Sequence, residues 1–514
     1  MNNYIKVFKK VLIICLIFLA SASLYSQNYI YTAQDFANMV PNGSYILMDD
    51  ITVTQMYTQT FTGHFDGNNK KITVNINENV TNVGLFSQVD GGSIYNLIVD
   101  GSVVGGLQSE NVGGFVGEFL SGDISICTNL ADVTGESFMS SVGGISGAVG
   151  YNGGGMIENN NNGTITGGQY VAGIAGKTSY GGADVVIKYC RNAGTIMPNK
   201  NRPELSYVAG IIAYCDGRLI CDLVNIGKIL GSDFDYAGGI VARLIGGYIA
   251  ASCNSGIVAG AKNSVGGIVG LLDNARLEGC INTNWIDIGT AQNYGAIVGM
   301  NNGTLTNNYF DNQMCVLNGI GNVPNPNVPW QAEGMPTTSM LGTNLRSVLL
   351  PFNNNTSGFG GGCNWVFTDN LYPRLGCPAS QPFYDHPISL LAAAPIYLQD
   401  NPITGEPERL DYVTQPFTVS NGWAYPPPPP PNSNPYNYPY QWGWFNQGYI
   451  PFSANGFIEI VPLNNANIIV HGGGQDSLSV QLEYNWLINT NYNGFYSGNY
   501  NIIFEKIVPI YVGI

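Results

Sequence analysis

Ser264-Val265-Gly266-Gly267-Ile268-Val269-Gly270 is one of eight near-copies of a single phrase. Reading outward from it in both directions decides the fold. The phrase begins at Asn82, Asn111, Ser141, Tyr170, Tyr207, Tyr236, Ser264 and Asn293, with steps of 29, 30, 29, 37, 29, 28 and 29 residues. The one long step holds the polar insertion Pro198-Asn199-Lys200-Asn201-Arg202-Pro203, which belongs in a loop. A 29-residue unit cannot close a core of its own, so the units must stack, each strand pairing with those above and below. At about 4.8 Å per coil, eight coils make a rod of roughly 40 Å. The expected fold class is all-β: a parallel β-helix-like solenoid of about eight coils, followed by a small β-sandwich.

A second element recurs between the phrases. Asn161-Asn162-Gly163, Asn192-Ala193-Gly194, Asn225-Ile226-Gly227 and Asn254-Ser255-Gly256 each precede a short apolar run. They read as corners in which Gly supplies a positive φ. The Gly-rich phrase itself reads as a place where backbones approach closely, with the alternating apolar residues turned inward.

Composition agrees. Charged residues make up 10% of the chain, and there are 67 Gly. Such a chain disfavours long helices and suits short strands joined by tight turns. The net charge of −15 makes nucleic acid an improbable partner. Lys6, Lys9 and Lys10 precede the apolar run Val11 to Ala20 and the small residues Ser21, Ala22 and Ser23. This order reads as a secretory signal peptide over residues 1–26, cut after Ala22 or Ser26. No later stretch is long and apolar enough to span a bilayer. The expectation is an exported chain at the cell surface or outside the cell, with no transmembrane segment.

Nine of the ten Cys follow the signal. Cys127, Cys190 and Cys280 fall at one phase of the repeat, two and three coils apart and too far to bond. Cys215, Cys221 and Cys253 fall at other phases. These six read as buried thiols, and Cys363 with Cys377 as the better candidates for a bridge.

The Val-Gly-Gly-Ile-Val-Gly phrases alternating with Asn-x-Gly corners resemble the GLUG-motif repeats of surface proteins from Bacteroidetes-type bacteria. Phe61-Thr62-Gly63-His64-Phe65-Asp66-Gly67-Asn68 resembles the opening of such proteins. Tyr309-Phe310-Asp311-Asn312-Gln313-Met314-Cys315, then Thr337-Thr338-Ser339-Met340 and Tyr372-Pro373-Arg374-Leu375, resemble their closing. The resemblance covers residues 28–377. It implies a right-handed β-helix-like rod at the surface and brings no catalytic residues. The Asn82 copy departs by lacking the second Gly, and the Tyr207 copy by ending in Ala.

The ends need caps, because open coils expose strand edges. Thr32-Ala33-Gln34-Asp35 reads as a capping box opening a short helix, with strands at Tyr45–Met48 and Ile51–Thr54. Residues 27–80 are the expected N-terminal cap, 81–315 the solenoid, and 316–380 the closing segment, to which Gln331–Leu350 contributes. Residues 388–514 read as an Ig-like sandwich, with Ser477-Leu478-Ser479-Val480-Gln481-Leu482 as an Ig-like strand. Its strands are expected at Phe417–Ser420, Phe457–Val461, Asn467–Val470, Ser477–Leu482 and Ile502–Ile510.

The candidate ligand contacts lie in an insertion at 423–449 that contains six consecutive prolines, Pro426 to Pro431. Trp423, Tyr436, Tyr438, Tyr440, Trp442 and Trp444 offer a stacking surface for a glycan or a surface protein, or they pack back on the sandwich.

The search for chemistry is otherwise empty. His64, His386 and His471 are scattered, and His64 reads as a turn residue. Asp216, Arg218 and Asp222 cluster in sequence, as do Asp233 and Asp235. Isolated carboxylates on different coils do not make a catalytic pair. The expectation is a non-enzymatic, cofactor-free adhesin-like rod whose C-terminal domain is the presenting module. The alternative is a polysaccharide-active enzyme or a carbohydrate-binding module built on the same helix.

Overall fold

The computed structural model describes residues 27–376, apart from 151, 179–182, 200–204, 218, 232–233, 316, 324–329, 353–363 and 368–371. Beyond 376 it describes the backbone of strand segments only. Each of the eight phrases opens on a strand, and the eight strands form one sheet with a rung per coil. The register runs Val83–Val112–Val142–Val171–Val208–Ala237–Val265–Tyr294, all parallel. We number the coils 1 to 8 from Asn82 to Asn293. A second, longer sheet takes the remaining strands of every coil.

The interior is a set of columns. Ile145, Ile174, Ile211, Ile240, Ile268 and Ile297 follow one another, each fully buried, and their backbones bond in series at 3.0–3.1 Å. Removing one such side chain from water stabilises the fold by about 2–3 kcal/mol. No coil can make that gain alone, because its neighbours provide the cover.

Each coil turns one corner through the left-handed region. The residues are Asn96, Ile126, Glu158, Tyr189, Asp222, Ala251, Gly279 and Asn307, with φ between 46° and 63°. The sequence reading placed positive φ at the Asn-x-Gly glycines instead. Gly163, Gly194, Gly227 and Gly256 are not among the positive-φ residues. Their requirement is space. A Cβ on Gly194 would lie 2.0 Å from the carbonyl oxygen of Gly163, and one on Gly227 2.1 Å from that of Gly194.

The asparagines of those corners form a buried column. The Nδ2 of Asn129 donates to Oδ1 of Asn161, and the chain continues through Asn192, Asn225, Asn254 and Asn282 at 2.8–2.9 Å. The second amide hydrogen goes to the carbonyl two residues on, at Ala131, Gly163, Gly194, Gly227, Gly256 and Asn284. For buried amides this satisfies groups that would otherwise each cost about 1–3 kcal/mol.

At the N-terminal end the capped helix read from the sequence is present, with differences in detail nearby. Thr32 caps a helix at Ala33–Ala37, and Asp35 completes the box. Phe36 plugs the bore, its ring 5.7 Å from that of Phe86 and 6.1 Å from that of Phe65. The first strands are Ser44–Leu47 and Ile51–Val53, each one residue short of the expected C-terminal end. His64 is not in a turn: it opens a strand, His64–Glu78, because Phe65, Ile72, Val74 and Ile76 all face the core. Its Nδ1 lies 2.7 Å from Ser93 Oγ on the next coil.

At the other end Ala332–Met335 adds a parallel rung to Asn308–Asp311. The chain then climbs the outside of the solenoid. Met340, Leu345, Leu349, Trp365, Tyr372 and Leu375 pack over an outward-facing apolar stripe that includes Val224, Cys253, Ile281 and Tyr309. The Tyr372 hydroxyl donates to Asp311 at 2.6 Å. This second core, outside the coil, was not expected.

Cys127, Cys190 and Cys280 occupy one phase, with Asn159 between the first two and Leu223 and Ser252 between the last two, as neighbouring registers require. They belong to the inner core, whereas Cys221 and Cys253 belong to the outer one. All are buried free thiols, and desolvation pushes those of Cys127 and Cys190 up to about 12. Cys363 and Cys377 lie outside the described residues, as do the signal segment and the proline run.

Among the C-terminal strands, Gly474–Thr490 and Gly494–Val512 form a long antiparallel hairpin. It is extended by Tyr440–Gly443 on one side and, in parallel, by Ile396–Leu398 on the other. Thr414–Pro416, Asn467–Val470 and Ile458–Val461 form a separate antiparallel sheet. Residues 417–419 lie outside the described residues. Among the described residues, no helix is long and apolar enough to cross a membrane.

Candidate functional site

The residues chosen from sequence as ligand contacts are not brought together by anything described. Trp423, Tyr436, Tyr438 and Trp444 lie outside the described residues. Tyr440 and Trp442 sit on the strand Tyr440–Gly443, described by its backbone alone. Arg218 and Asp233 are also outside. Asp235 is buried and links three successive coils: it accepts from Ser206 N at 2.9 Å, from Ser206 Oγ at 3.0 Å and from Asn263 Nδ2 at 3.2 Å. Asp222 sits at a buried left-handed corner, where desolvation raises its carboxyl to about 7 against the opposing pull of Lys188. Asp216 ends the strand Ile212–Asp216 and lies close enough to Tyr214 to affect its phenol.

A different feature stands out on the solenoid surface. The last residue of the phrase is Gly in coils 2 to 4, 7 and 8 and Ala in coils 5 and 6, and at these glycines the long sheet comes hard against the preceding coil. A Cβ on Gly147 would lie 2.3 Å from Val112 N, and one on Gly299 2.4 Å from Ser264 Oγ. The corner is therefore acute, and two outward-facing rows meet across it. One row comes from the eight-rung sheet: Asn82, Asn111, Ser141, Tyr170, Tyr207, Tyr236, Ser264, Asn293. The other comes from the long sheet: Gln88, Glu118, Ala148, Lys177, Tyr214, Arg243, Leu271, Met300.

The rows change character along the rod. At the N-terminal end they are amides around a carboxylate. Glu118 Oε2 accepts from Asn82 Nδ2 at 3.0 Å and from Gln88 Nε2 at 2.8 Å, and Asn111 donates to Asn82 at 2.8 Å. At coil 3 the row narrows to Ser141 and Ala148, both buried. Over coils 4 to 6 it becomes aromatic and cationic.

Tyr170 and Tyr207 stack with centroids 5.4 Å apart and planes 3° apart, and Tyr207 and Tyr236 at 5.2 Å and 11°. Tyr214 meets Tyr170 and Tyr207 edge-on, each at 5.6 Å. Ring separations near the rung spacing are what in-register stacking dictates. Lys177 Nζ is 5.8 Å from the Tyr170 centroid, and the Arg243 guanidinium is 5.7 Å from that of Tyr214. Arg243 also reaches the Tyr207 hydroxyl and Asp273, each at 3.4 Å. Tyr207 is buried between its neighbours, whereas Tyr170, Tyr214 and Tyr236 are half-buried. Desolvation raises the phenols of all three, so they remain neutral hydrogen-bonding hydroxyls at physiological pH.

Sequence reasoning missed this corner although its signal was available. Three consecutive phrases begin with Tyr, and a Lys, a Tyr and an Arg follow each by seven residues. No family model, no curated protein and no solved structure matches this chain.

Proposed function

We propose that this chain is an exported surface rod with a spacer and adhesive role, in which the solenoid holds binding elements away from the cell and residues 388–514 act as the presenting module. The observation that carries this reading is the unbroken eight-rung register with its buried asparagine column. Coils joined by continuous backbone ladders and a continuous side-chain ladder resist bending and shear along their whole length. A spacer needs that property, and a soluble catalyst does not.

The fate of the polar groups supports a structural rather than a catalytic use. Asp235, Asp311 and Glu118 spend their oxygens on amides and hydroxyls of adjoining segments. The GLUG-like phrases and the signal-like leader support export and kinship with bacterial surface repeats.

The test is surface display with coils removed in phase. Deleting residues 264–292 takes out one complete coil between two equivalent strand starts. Cells displaying the shortened rod are expected to keep the protein accessible to external protease and to lose adhesion in step with the number of coils deleted. Adhesion that is indifferent to rod length would overturn the spacer reading. Release of reducing sugar from a polysaccharide, abolished in Asp216→Asn, would replace it with the enzymatic one.

A further inference from the structure

We infer that the acute corner over coils 4 to 6 is a binding site for an acidic, uronate-containing polysaccharide. A sugar ring lies against the exposed part of the Tyr170 ring, and its carboxylate is held by Lys177. The inference deepens the adhesive reading by naming a ligand class and by moving the contact surface from the C-terminal insertion to the rod itself.

Three observations converge. First, the tyrosine stack ends abruptly. The rungs on either side are Ser141 and Ser264, whose hydroxyls turn back to Gly147 and Gly270 carbonyls at 2.7 Å. Tyr207 is covered on both faces by Tyr170 and Tyr236, whereas Tyr170 turns one face towards the small residues Ser141 and Ala148. Ser141 and Ala148 are themselves buried, so the part of Tyr170 open to a pyranose is the outer portion of its half-buried ring, with the phenol at the ring edge serving sugar hydroxyls.

Second, Lys177 and Arg243 are the only cations of the two rows, in a chain of net charge −15. Arg243 is paired with Asp273. Lys177 has no carboxylate partner among the described residues, and its ammonium sits beside the Tyr170 ring. At physiological salt a charge acts over about 8 Å, so this local positive spot, not the distant net charge, is what a bound ligand meets. One available cation matches one carboxylate per sugar. It cannot neutralise the dense phosphates of nucleic acid.

Third, the site repeats along the rod axis, with a hydroxyl-bearing ring on each of three successive coils at 5.2–5.4 Å. A ligand that is itself a polymer of ring units can follow such a row, whereas a small molecule would use only one rung.

The test uses the full chain and titrates oligogalacturonate and alginate oligosaccharides by calorimetry, with cello-oligosaccharide as the neutral control. The uronates are expected to bind, and the neutral chain at least 10-fold more weakly. Lys177→Gln should weaken uronate binding about 10-fold and reduce its salt dependence. Tyr170→Ala should weaken it at least as much, while Tyr170→Phe, which keeps the ring face, should stay within about 3-fold. The Phe variant separates loss of the platform from loss of folding, and Lys177→Gln alters only a solvent-facing group. Trp442→Ala should leave binding unchanged. Failure of both uronates to bind would overturn the inference, as would binding that survives both Lys177→Gln and Tyr170→Ala, or binding lost in Trp442→Ala. None of these results touches the spacer reading, which depends on rod length.

Discussion

The six middle coils and the two terminal ones solve the same packing problem differently. In coils 2 to 7 the second glycine of the phrase lies under a buried asparagine, as Gly114 under Asn129, Gly210 under Asn225 and Gly267 under Asn282. A Cβ there would come within 2.4–2.7 Å of the amide. In coil 1 the glycine is replaced by Leu85 and the asparagine by Val99. In coil 8 they are replaced by Ala296 and Phe310. The two positions change together, six times one way and twice the other. The glycine is thus a steric consequence of the amide column, not a conformational need, and where the rod ends both revert to apolar residues that meet the caps. The column's free end is visible at Asn129, whose Oδ1 has no hydrogen-bond partner.

The largest expected effect comes from forcing a side chain under the column. Gly210→Val would place atoms 2.3 Å from the Gly239 carbonyl and 2.5 Å from Asn225. It should destabilise the chain by at least about 3 kcal/mol in urea unfolding. Next is Asn225→Leu, which strands both the Asn192 amide and the Asn254 carbonyl oxygen. A loss of about 2–4 kcal/mol is expected, against about 1–2 kcal/mol for Asn129→Leu at the column's end. Equal losses would mean the amides act singly rather than as a column.

Protonation sharpens the contrast within the middle coils. Two of the left-handed corners carry carboxyls, Glu158 and Asp222; burial raises both, that of Asp222 from 3.8 to about 7. Because the folded pKa lies above the unfolded one, the protonated form is favoured by folding. Stability from Asp222 is therefore full below about pH 4 and falls as pH rises towards 7, by at most about 4 kcal/mol. Asp222→Asn should remove that part of the pH dependence in stability measured from pH 4 to 8. The smallest effect is expected at the rod's end, where Ala296→Gly has no amide to relieve. It should cost only about 0.5–1 kcal/mol, from backbone entropy.

The period of the repeat made the fold legible to the residue. All eight strand starts read from the phrase are the eight rungs observed, because a near-constant length leaves stacking as the one way to bury the alternating Val and Ile side chains. The thiols were legible for the same reason, since phase alone fixes which coil each occupies. Three features were not. The positive-φ corner carries Ile126, Glu158, Tyr189 and Ala251, residue types that do not advertise it. The flank of Val224, Cys253, Ile281 and Tyr309 looks like surface from its alternation, and only a later segment folding back covers it. The tyrosine corner leaves a trace, with Lys177, Tyr214 and Arg243 each seven residues after a phrase-opening Tyr, but that these two rows belong to different sheets and meet at a corner is a property of the coil.

The central claim is that the coils lie in strict register along one axis, and a distance between two outward positions of one row tests it most directly. Gln88 and Met300 are separated by seven register steps, about 34 Å at about 4.8 Å per step. Spin labels at Gln88→Cys and Met300→Cys should give a single narrow distance near that value by pulsed electron resonance, with Gln88→Cys and Lys177→Cys giving about 14 Å over three steps. A broad distribution, or a distance that does not grow in proportion to the number of coils between the labels, would contradict the stacked rod.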